Sequence, residues 1–345
     1  MRTRNAVAAL ALALGVLVPP APAAADSLTW SVAPSGPRGP NGRPALDYKL
    51  DPGAAITDHV AVTNHAAEPL TLRLYATDAL TTAGGGFGLL AGDAKAVDAG
   101  SWVKPSRSTL TLPASSRVVV PFTVTVPDNA TPGDHAAGLV ASLAADVTDG
   151  NGNRVTVDHR VGTRVYLRVA GPLTPKLTIS DVRVKAATSW NPLTLPRVTA
   201  SFTVTNTGNV RLTGTPSTRV EGPFGLSVRT ATAAAIPEIL PGGSVSTAVT
   251  LDAVPPLFHE YVISEIMPAP ADGRPIDPAP ARITDTRTLW LIPWSQLAVL
   301  GLVIALTAAW LFARRRRRTR MGAALAAAEQ RGREQATSSD SKGTS

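Results

Sequence analysis

The chain has 345 residues, a formal net charge of +8 and no cysteine. The lack of cysteine excludes disulfides, thiolate metal sites and thiol nucleophiles. The excess positive charge lies at the two ends: two arginines near the start, and eight arginines with Lys342 against three acidic residues after Ala313. Residues 26–288 are therefore close to neutral, so we expect no surface for nucleic acid there.

The first segment has the pattern of a secretory signal peptide. Two arginines precede an apolar run from Ala6 to Val18, and three alanines stand just before Asp26. A positive start, a short apolar run and small residues are the features that signal peptidase recognises. The run is too short to span a bilayer comfortably, which favours cleavage over a retained anchor. We expect residues 1–25 to be removed, with the exact bond left open.

Period-two alternation, typical of β-strands, dominates the next part of the chain. Apolar and polar residues alternate at 59–64, 70–76, 108–112, 122–126 and 161–169. Such runs place one face on a core and one in water. Turns rich in proline, glycine and asparagine separate them, and no amphipathic helix of ordinary length precedes the apolar C-terminal segment. The pattern predicts an all-β fold of antiparallel sandwiches rather than an α/β enzyme.

A weak internal repeat indicates two sandwiches. Val60–Asn64 and Phe202–Asn206 each end a strand in Thr-Asn, followed by a polar turn and a new strand. Further on, Pro113 and Pro241 each start a turn between two strands. The same order of elements therefore occurs twice, as expected for two immunoglobulin-like modules.

The predicted boundaries follow from shifts in composition. A long strand pattern ends at Ala170, which gives a first domain of residues 26–170 and a second of residues 171–269. Five prolines then fall between residues 268 and 280. A proline-rich segment is stiff and extended, so we expect residues 270–288 to form a stalk.

Residues 289–312 are long and apolar enough for a transmembrane helix, since about 20 residues span the hydrocarbon core. Tryptophans stand at both edges, where indole rings favour the headgroup region. Arg314–Arg318 follow directly and resist translocation, and this position argues against a nucleic-acid patch. We predict a single-pass protein of the bacterial cell membrane, with its bulk outside and residues 313–345 as a basic cytoplasmic tail. The bacterial origin is inferred from abundant alanine, arginine and proline with few lysines.

The run PGDHAAGLVASL, residues 132–143, suggests a hydrolase set of Asp134, His135 and Ser142. Adjacent residues of an extended chain point to opposite faces, so Asp134 and His135 would not readily pair. Ser142 also lacks the G-x-S-x-G elbow that presents a nucleophile. We favour a turn in which Pro-Gly makes the bend and Asp134 bonds back to the backbone, with small Ala136–Gly138 packing in a central strand. No catalytic residue is predicted, and the protein is expected not to be an enzyme.

No metal or cofactor site is predicted. The five histidines lack metal-ligand spacing. The segment Asp146–Arg154 is faintly similar to a calcium loop, but it has neither the terminal glutamate nor a flanking helix pair. Asn151-Gly152 within it is better explained as a hairpin turn.

Aromatic residues are the candidates for contact with a glycan. Most of those in the first domain are expected to fill its core, namely Trp30, Tyr48, Tyr75, Phe87 and Tyr166. Trp102, after the glycine-rich loop at 84–88, is the expected exception on an exposed face. His135 is expected to line a binding surface or to steady its turn. We name Trp102 and His135 as candidate binding residues.

Several ordered motifs between Ser27 and Ala170 resemble the opening of the WxL-interacting protein family. They are Ser31–Pro34, Arg43–Gly53, Asp58–Asn64, Leu74–Ala79, Trp102-Val103 with the turn at Pro113, and Pro127–Val140. The resemblance implies an immunoglobulin-like N-terminal domain that binds peptidoglycan. It also implies a second immunoglobulin-like module, one membrane span and a basic tail.

The second domain lacks the motifs usual for that module, so binding of a host or WxL protein is not carried over. The alternative is a structural adaptor that binds another surface protein, by strand addition at a sheet edge, without contact to the wall.

Overall fold

The structure, a computed structural model, describes residues 29–148 and 153–340. The chain forms two compact units. The first comprises the described residues to Leu80 and Phe87–Pro172, and the second comprises Thr81–Gly86 and the described residues from Leu173. The predicted signal peptide and the predicted turn at Asn151-Gly152 lie outside the described residues.

The first unit is built from strands and one short helix. In chain order these are β1 (Trp30–Gly36), β2 (Gly39–Pro40), β3 (Leu46–Leu50), β4 (Ala55–Asn64), β5 (Leu70–Thr81), β6 (Phe87–Leu89), α1 (Ala99–Trp102), β7 (Val103–Pro105), β8 (Thr109–Leu112), β9 (Arg117–Thr125), β10 (Gly133–Thr148) and β11 (Arg154–Val169).

Two sheets form the layers of this unit. One has the order β2-β1-β4-β9-β7, and the other has the order β3-β11-β10-β5-β6 with β8 also paired to β5. Strand β3 runs parallel to β11, whereas β10 is antiparallel to both of its neighbours, β11 and β5. The inward residues of both sheets, among them Val62, Leu72, Phe122, Leu139 and Leu167, form one core. The period-two alternation of the sequence is the cause, because it gives each strand one apolar face.

The second unit has eight further strands and a long helix among the described residues. They are β12 (Leu177–Ala187), β13 (Arg197–Asn206), β14 (Leu212–Glu221), β15 (Ser227–Thr232), β16 (Ile236–Ile239), β17 (Ser244–Leu251), β18 (Phe258–Pro270), β19 (Ile283–Leu291) and α2 (Trp294–Asp340). One sheet has the order β12-β13-β17, and the other has β15-β14-β18-β19 with β16 paired to β14. The predicted all-β fold of two immunoglobulin-like sandwiches with one C-terminal helix is confirmed.

The predicted stalk at 270–288 is partly wrong. Strand β19 begins at Ile283 and pairs with β18 from Ile266↔Ile283 to Phe258↔Leu291. The second sandwich therefore extends beyond residue 269, as far as Leu291. Sequence reasoning missed this strand because prolines precede it and an apolar segment follows it.

The helix also begins later than residue 289. Leu291 belongs to β19, is 2% exposed and packs in the core of the second unit, while the helix starts at Trp294 directly after Pro293. The first three residues of the predicted span, 289–291, thus belong to strand β19. The helix is long and apolar enough to cross a membrane, with a mean hydropathy of 2.1 in its most apolar window.

The internal repeat has a structural counterpart in two buried asparagines. The side-chain amide of Asn64 donates to the carbonyls of Glu68 and Leu112, and that of Asn206 donates to the carbonyls of Val210 and Ile239. In each unit the asparagine side chain donates to the carbonyl of the residue four positions later in the chain. Its side-chain oxygen accepts from the backbone amide of the residue two positions later. Each asparagine therefore joins the turn after its strand to a strand that lies far along the chain.

Candidate functional site

His135, at the start of β10, uses both nitrogens of its ring. Nδ1 lies 2.7 Å from Oδ1 of Asp98, and Nε2 lies 2.9 Å from the carbonyl oxygen of Thr131. Both partners are acceptors, so only the doubly protonated imidazolium satisfies both of them. In this arrangement neither nitrogen is free to take a proton from a substrate.

The protonation of His135 follows from these contacts. Burial by itself would lower the pKa of the imidazole, but the hydrogen bonds to Asp98 and Thr131 outweigh it and raise the pKa above its usual 6.5. The surroundings in the folded protein therefore favour the charged form of His135 more than water does. His135 thus pins the segment that carries Asp98 to the start of β10.

Asp78, on β5, holds the same segment from the other side. Its carboxylate accepts the backbone amides of Val97, Asp98 and Gly100 at 2.7–3.0 Å. A Cβ on Gly100 would lie 2.4 Å from the backbone of Thr77, so the close approach requires glycine. Helix α1 is therefore fixed against β5 by a buried carboxylate.

Trp102, at the end of α1, meets His135. The ring centroids are 4.7 Å apart and the ring planes are inclined by 51°. The expectation that Trp102 stands on an exposed face is wrong, because it is 8% exposed and belongs to the core of the first unit. It packs inside because α1 turns back onto β7 and β10. We call the group of Asp78, Asp98, Trp102, Thr131 and His135 the Trp102–His135 cluster.

The surface beside the Trp102–His135 cluster is mixed in character. Val97 is 80% exposed, the Asp98 side chain is 46% exposed, and Ser101 and Lys104 are also exposed. The chain from Val97 to Lys104, which carries Trp102, thus exposes an apolar side chain, a carboxylate, a hydroxyl and an amine. This composition can contact a ligand that combines apolar faces with polar groups.

The suggested hydrolase set is not assembled. Asp134 forms a bidentate ion pair with Arg168 of β11, at 2.6 and 2.8 Å, while His135 pairs with Asp98. Ser142 is seven residues further along β10, which corresponds to about 23 Å in an extended strand. The Asp134 carboxylate, expected to bond back to the backbone of its own turn, forms a cross-strand ion pair.

The interpretation of the same run as a turn leading into a central strand is supported. Gly133 has a φ of +120°, and β10 lies between β11 and β5. A Cβ on Gly138 would lie 2.5 Å from the end of the Leu89 side chain, so a larger residue here would require Leu89 to shift.

A second polar network was not anticipated from the sequence. The Asp58 carboxylate accepts from the Tyr48 hydroxyl at 2.6 Å and from Arg43 at 2.9 Å. Burial alone would raise the pKa of Asp58, but these two hydrogen bonds lower it below its usual value. All three residues stand in motifs that carry the family resemblance, which was the available signal. The network joins β3 and the segment before it to β4, so it stabilises the fold of the first unit.

Within residues 29–148 and 153–340, no group of three histidine, aspartate or glutamate side chains is placed to hold a metal ion. Part of the segment similar to a calcium loop falls outside these ranges.

Comparison with solved structures gives distant structural neighbours. No protein-family model matches the chain, and no curated protein matches its sequence. The chain is similar to the class 5 fimbriae chaperone CfaA, with 12% identity, a TM-score of 0.35 and coverage of 75% of this chain and 99% of that one.

It is also similar to the SafB chaperone complex with SafA pilin from Salmonella enterica, with 8% identity, a TM-score of 0.32 and coverage of 77% and 99%. The E. coli chaperone DraB gives 9% identity, a TM-score of 0.31 and coverage of 70% and 92%. Similarity at this level assigns no function to this chain. What the chain itself shows is a pair of β-sandwich units followed by a helix able to span a membrane.

Proposed function

We propose that this protein is a non-enzymatic, membrane-anchored protein of the bacterial surface, and that its first unit binds peptidoglycan beside the Trp102–His135 cluster. One observation carries the proposal. Trp102 and His135, named separately as candidates, lie in contact, and each comes from a motif that resembles the WxL-interacting protein family. Membership of that family is part of the proposal.

The border of the cluster supports this ligand class. Peptidoglycan presents sugar rings with apolar faces, hydroxyl groups, and peptides with amines and carboxylates. Val97 offers an apolar contact, Asp98 an acceptor for hydroxyls or amines, and Lys104 a partner for carboxylates. Hydrogen bonds from the backbone amides of Val97 and Asp98 to Asp78, and from His135 to Asp98, hold this segment in place, which lowers the entropic cost of binding.

Anchoring supports the same role. Helix α2, with Arg314–Arg318 on its cytoplasmic side, would hold the first unit close to the wall. A tethered module binds at a high effective concentration, so weak individual contacts are sufficient.

The experiment is a pull-down of residues 26–293, which keep strand β19 whole, on purified peptidoglycan. We expect retention of the unmodified fragment, and a reduction of roughly tenfold when Val97→Glu and Lys104→Glu are combined, since a loss of about 1.4 kcal/mol is tenfold. Lys185→Glu on the exposed face of β12 is the matched control and should leave retention unchanged. Equal retention of all three proteins contradicts binding at this surface, and no retention of the unmodified fragment contradicts binding of peptidoglycan altogether.

The competing hypothesis, an adaptor that acts by strand addition, has less support. Strand β12 is an eleven-residue edge strand, but its pairing shifts between Ser180 and Arg183, and Asp181 there has a φ of +52°. Irregularities of this kind on edge strands block pairing with another chain. Recovery of a protein partner without retention on peptidoglycan would favour the adaptor.

A further inference from the structure

One end of the second unit gathers three loops and the entry into the helix. In one sheet Val198 pairs with Leu251, so the β12–β13 loop and the β17–β18 connection leave at this end. In the other sheet Phe258 pairs with Leu291, the last residue before the helix entry. The β14–β15 loop joins them, since Gly222 lies against Leu257. We call this end of the second unit the helix-side base.

The loops of the helix-side base expose large apolar side chains. The exposed fractions are 85% for Trp190, 90% for Leu193, 101% for Phe224, 65% for Leu226 and 49% for Phe258. Soluble surfaces rarely gather so many exposed apolar side chains at one place. They come from the β12–β13 loop, the β14–β15 loop and the first residue of β18, so the conformation of a single turn does not explain them.

The β12–β13 loop is attached to the first turn of the helix. Nε2 of Gln296 donates to the carbonyl oxygen of Pro192 at 3.0 Å. The loop, Pro256 and residues 292–296 line a cavity of about 150 Å³. Trp190 and Leu193 therefore lie at the level at which the apolar helix begins.

Tryptophans mark the same level on the helix side. Trp290 and Trp294 are more than half exposed and flank the entry into α2. Indole rings are enriched at the boundary between headgroups and hydrocarbon. Where α2 enters a bilayer, the loop tied to its first turn meets that same boundary.

We propose that the helix-side base inserts Trp190, Leu193 and Phe224 into the interfacial layer of the lipid bilayer. The second unit then rests on the membrane instead of standing above it on an extended stalk. The proposal rests on the membrane anchoring in the proposed function, and the continuity of this surface with the start of the span identifies lipid as its occupant. Apolar loops held in the interface gain binding energy from the area that they bury.

The lack of cysteine allows a direct test. Single cysteines are introduced into the full-length chain as Leu193→Cys and Phe224→Cys, labelled with a nitroxide, and reconstituted into vesicles of phosphatidylethanolamine and phosphatidylglycerol. Val303→Cys in the helix is the lipid reference, and Val97→Cys in the first unit is the water reference. Collision of the label with oxygen, which partitions into lipid, is compared with collision with a water-soluble nickel complex.

We expect an oxygen-to-nickel ratio at residues 193 and 224 several times that at residue 97 and closer to that at residue 303. A ratio equal to that at residue 97, with residue 303 in lipid, overturns this inference and leaves the anchor intact. Protection from both reagents means that protein covers the surface, which also overturns it. A water-like ratio at residue 303 contradicts the membrane anchor itself, and the inference falls with it.

Discussion

At the residue scale, single polar groups decide which parts of the first unit are fixed. The imidazolium of His135 lies between two acceptors, and the carboxylate of Asp78 caps three backbone amides. Both hold the segment 97–102, which carries Trp102. Charged groups in buried surroundings are stable only when paired in this way.

The raised pKa of His135 predicts a pH dependence of stability. Because the folded-state pKa lies above the unfolded value, the stabilisation is fully present below about pH 6.5 and is lost as the pH rises through the folded pKa. We expect the unfolding temperature of the first unit to fall by a few degrees between about pH 5.5 and about pH 8.5 through this group.

Thermal unfolding of the full-length chain in detergent measures this effect. In His135→Asn the part of the pH dependence due to the imidazole should vanish, whereas His259→Asn in the second unit should preserve it. A His135→Asn variant with the slope of the unmodified chain contradicts the role given to the ion pair.

Glu260, in the second unit, shows the opposite case of a buried charge without sufficient partners. One carboxylate oxygen accepts from the amide of Leu257, and the other has no hydrogen-bond partner among the residues that the structure describes. Burial raises the pKa of Glu260, so its ionised form destabilises the fold near neutral pH, and this cost disappears as the pH falls through the folded pKa.

Glu260→Gln should therefore raise the free energy of unfolding near neutral pH by about 1 kcal/mol, because it keeps the acceptor for Leu257 and removes the charge. The gain should shrink at acidic pH, where Glu260 is protonated in the parent chain. Denaturant titration at two pH values measures both effects, and a destabilised variant at neutral pH would contradict the assignment.

At the scale of elements, the two buried asparagines explain why the repeat is visible in the sequence at all. Each must end its strand, because its side chain reaches the turn after the strand and a strand that lies far along the chain. Few other side chains supply two donors and one acceptor in so small a volume. The Thr-Asn pattern therefore marks a structural requirement of the sandwich.

We expect Asn64→Ala and Asn206→Ala each to cost about 2–4 kcal/mol, since several buried backbone groups lose their partners. The loss should appear in the unfolding transition of the unit that contains the substitution. Calorimetry of the full-length chain checks it, with the exposed Asn129→Ala as the control. A loss below about 1 kcal/mol at either asparagine contradicts its role as a buried connector.

Strand β19 and helix α1 show where sequence patterns fail. Strand β19 follows a proline-rich segment and runs into apolar residues that also fit a transmembrane span. Pairing with β18 makes residues 283–291 a strand rather than part of the helix. It also buries Leu291 in the core, which no local sequence pattern indicates. Helix α1 has only four residues, and its Gly100 is held by Asp78, 22 residues earlier in the chain.

At the scale of the whole molecule, two β-sandwich units precede a helix that is long and apolar enough to cross a membrane. The proposed wall-binding surface lies in the first unit and the proposed lipid-binding base in the second. The two proposals have separate tests, because one concerns retention on peptidoglycan and the other the depth of labels in a bilayer.

The sequence by itself determined the strands, the turns between them and the apolar helix of this protein. Alternation gave each strand an apolar face, asparagine and proline turns separated the strands, and a long apolar run indicated the helix. These features act over a few residues and are therefore readable in order along the chain. Tertiary structure alone decided that Trp102 is buried against His135, that Asp134 pairs with Arg168, and that three apolar loops share the end where the helix begins. Those contacts join residues far apart in the chain, and only the pairing of strands brings them together.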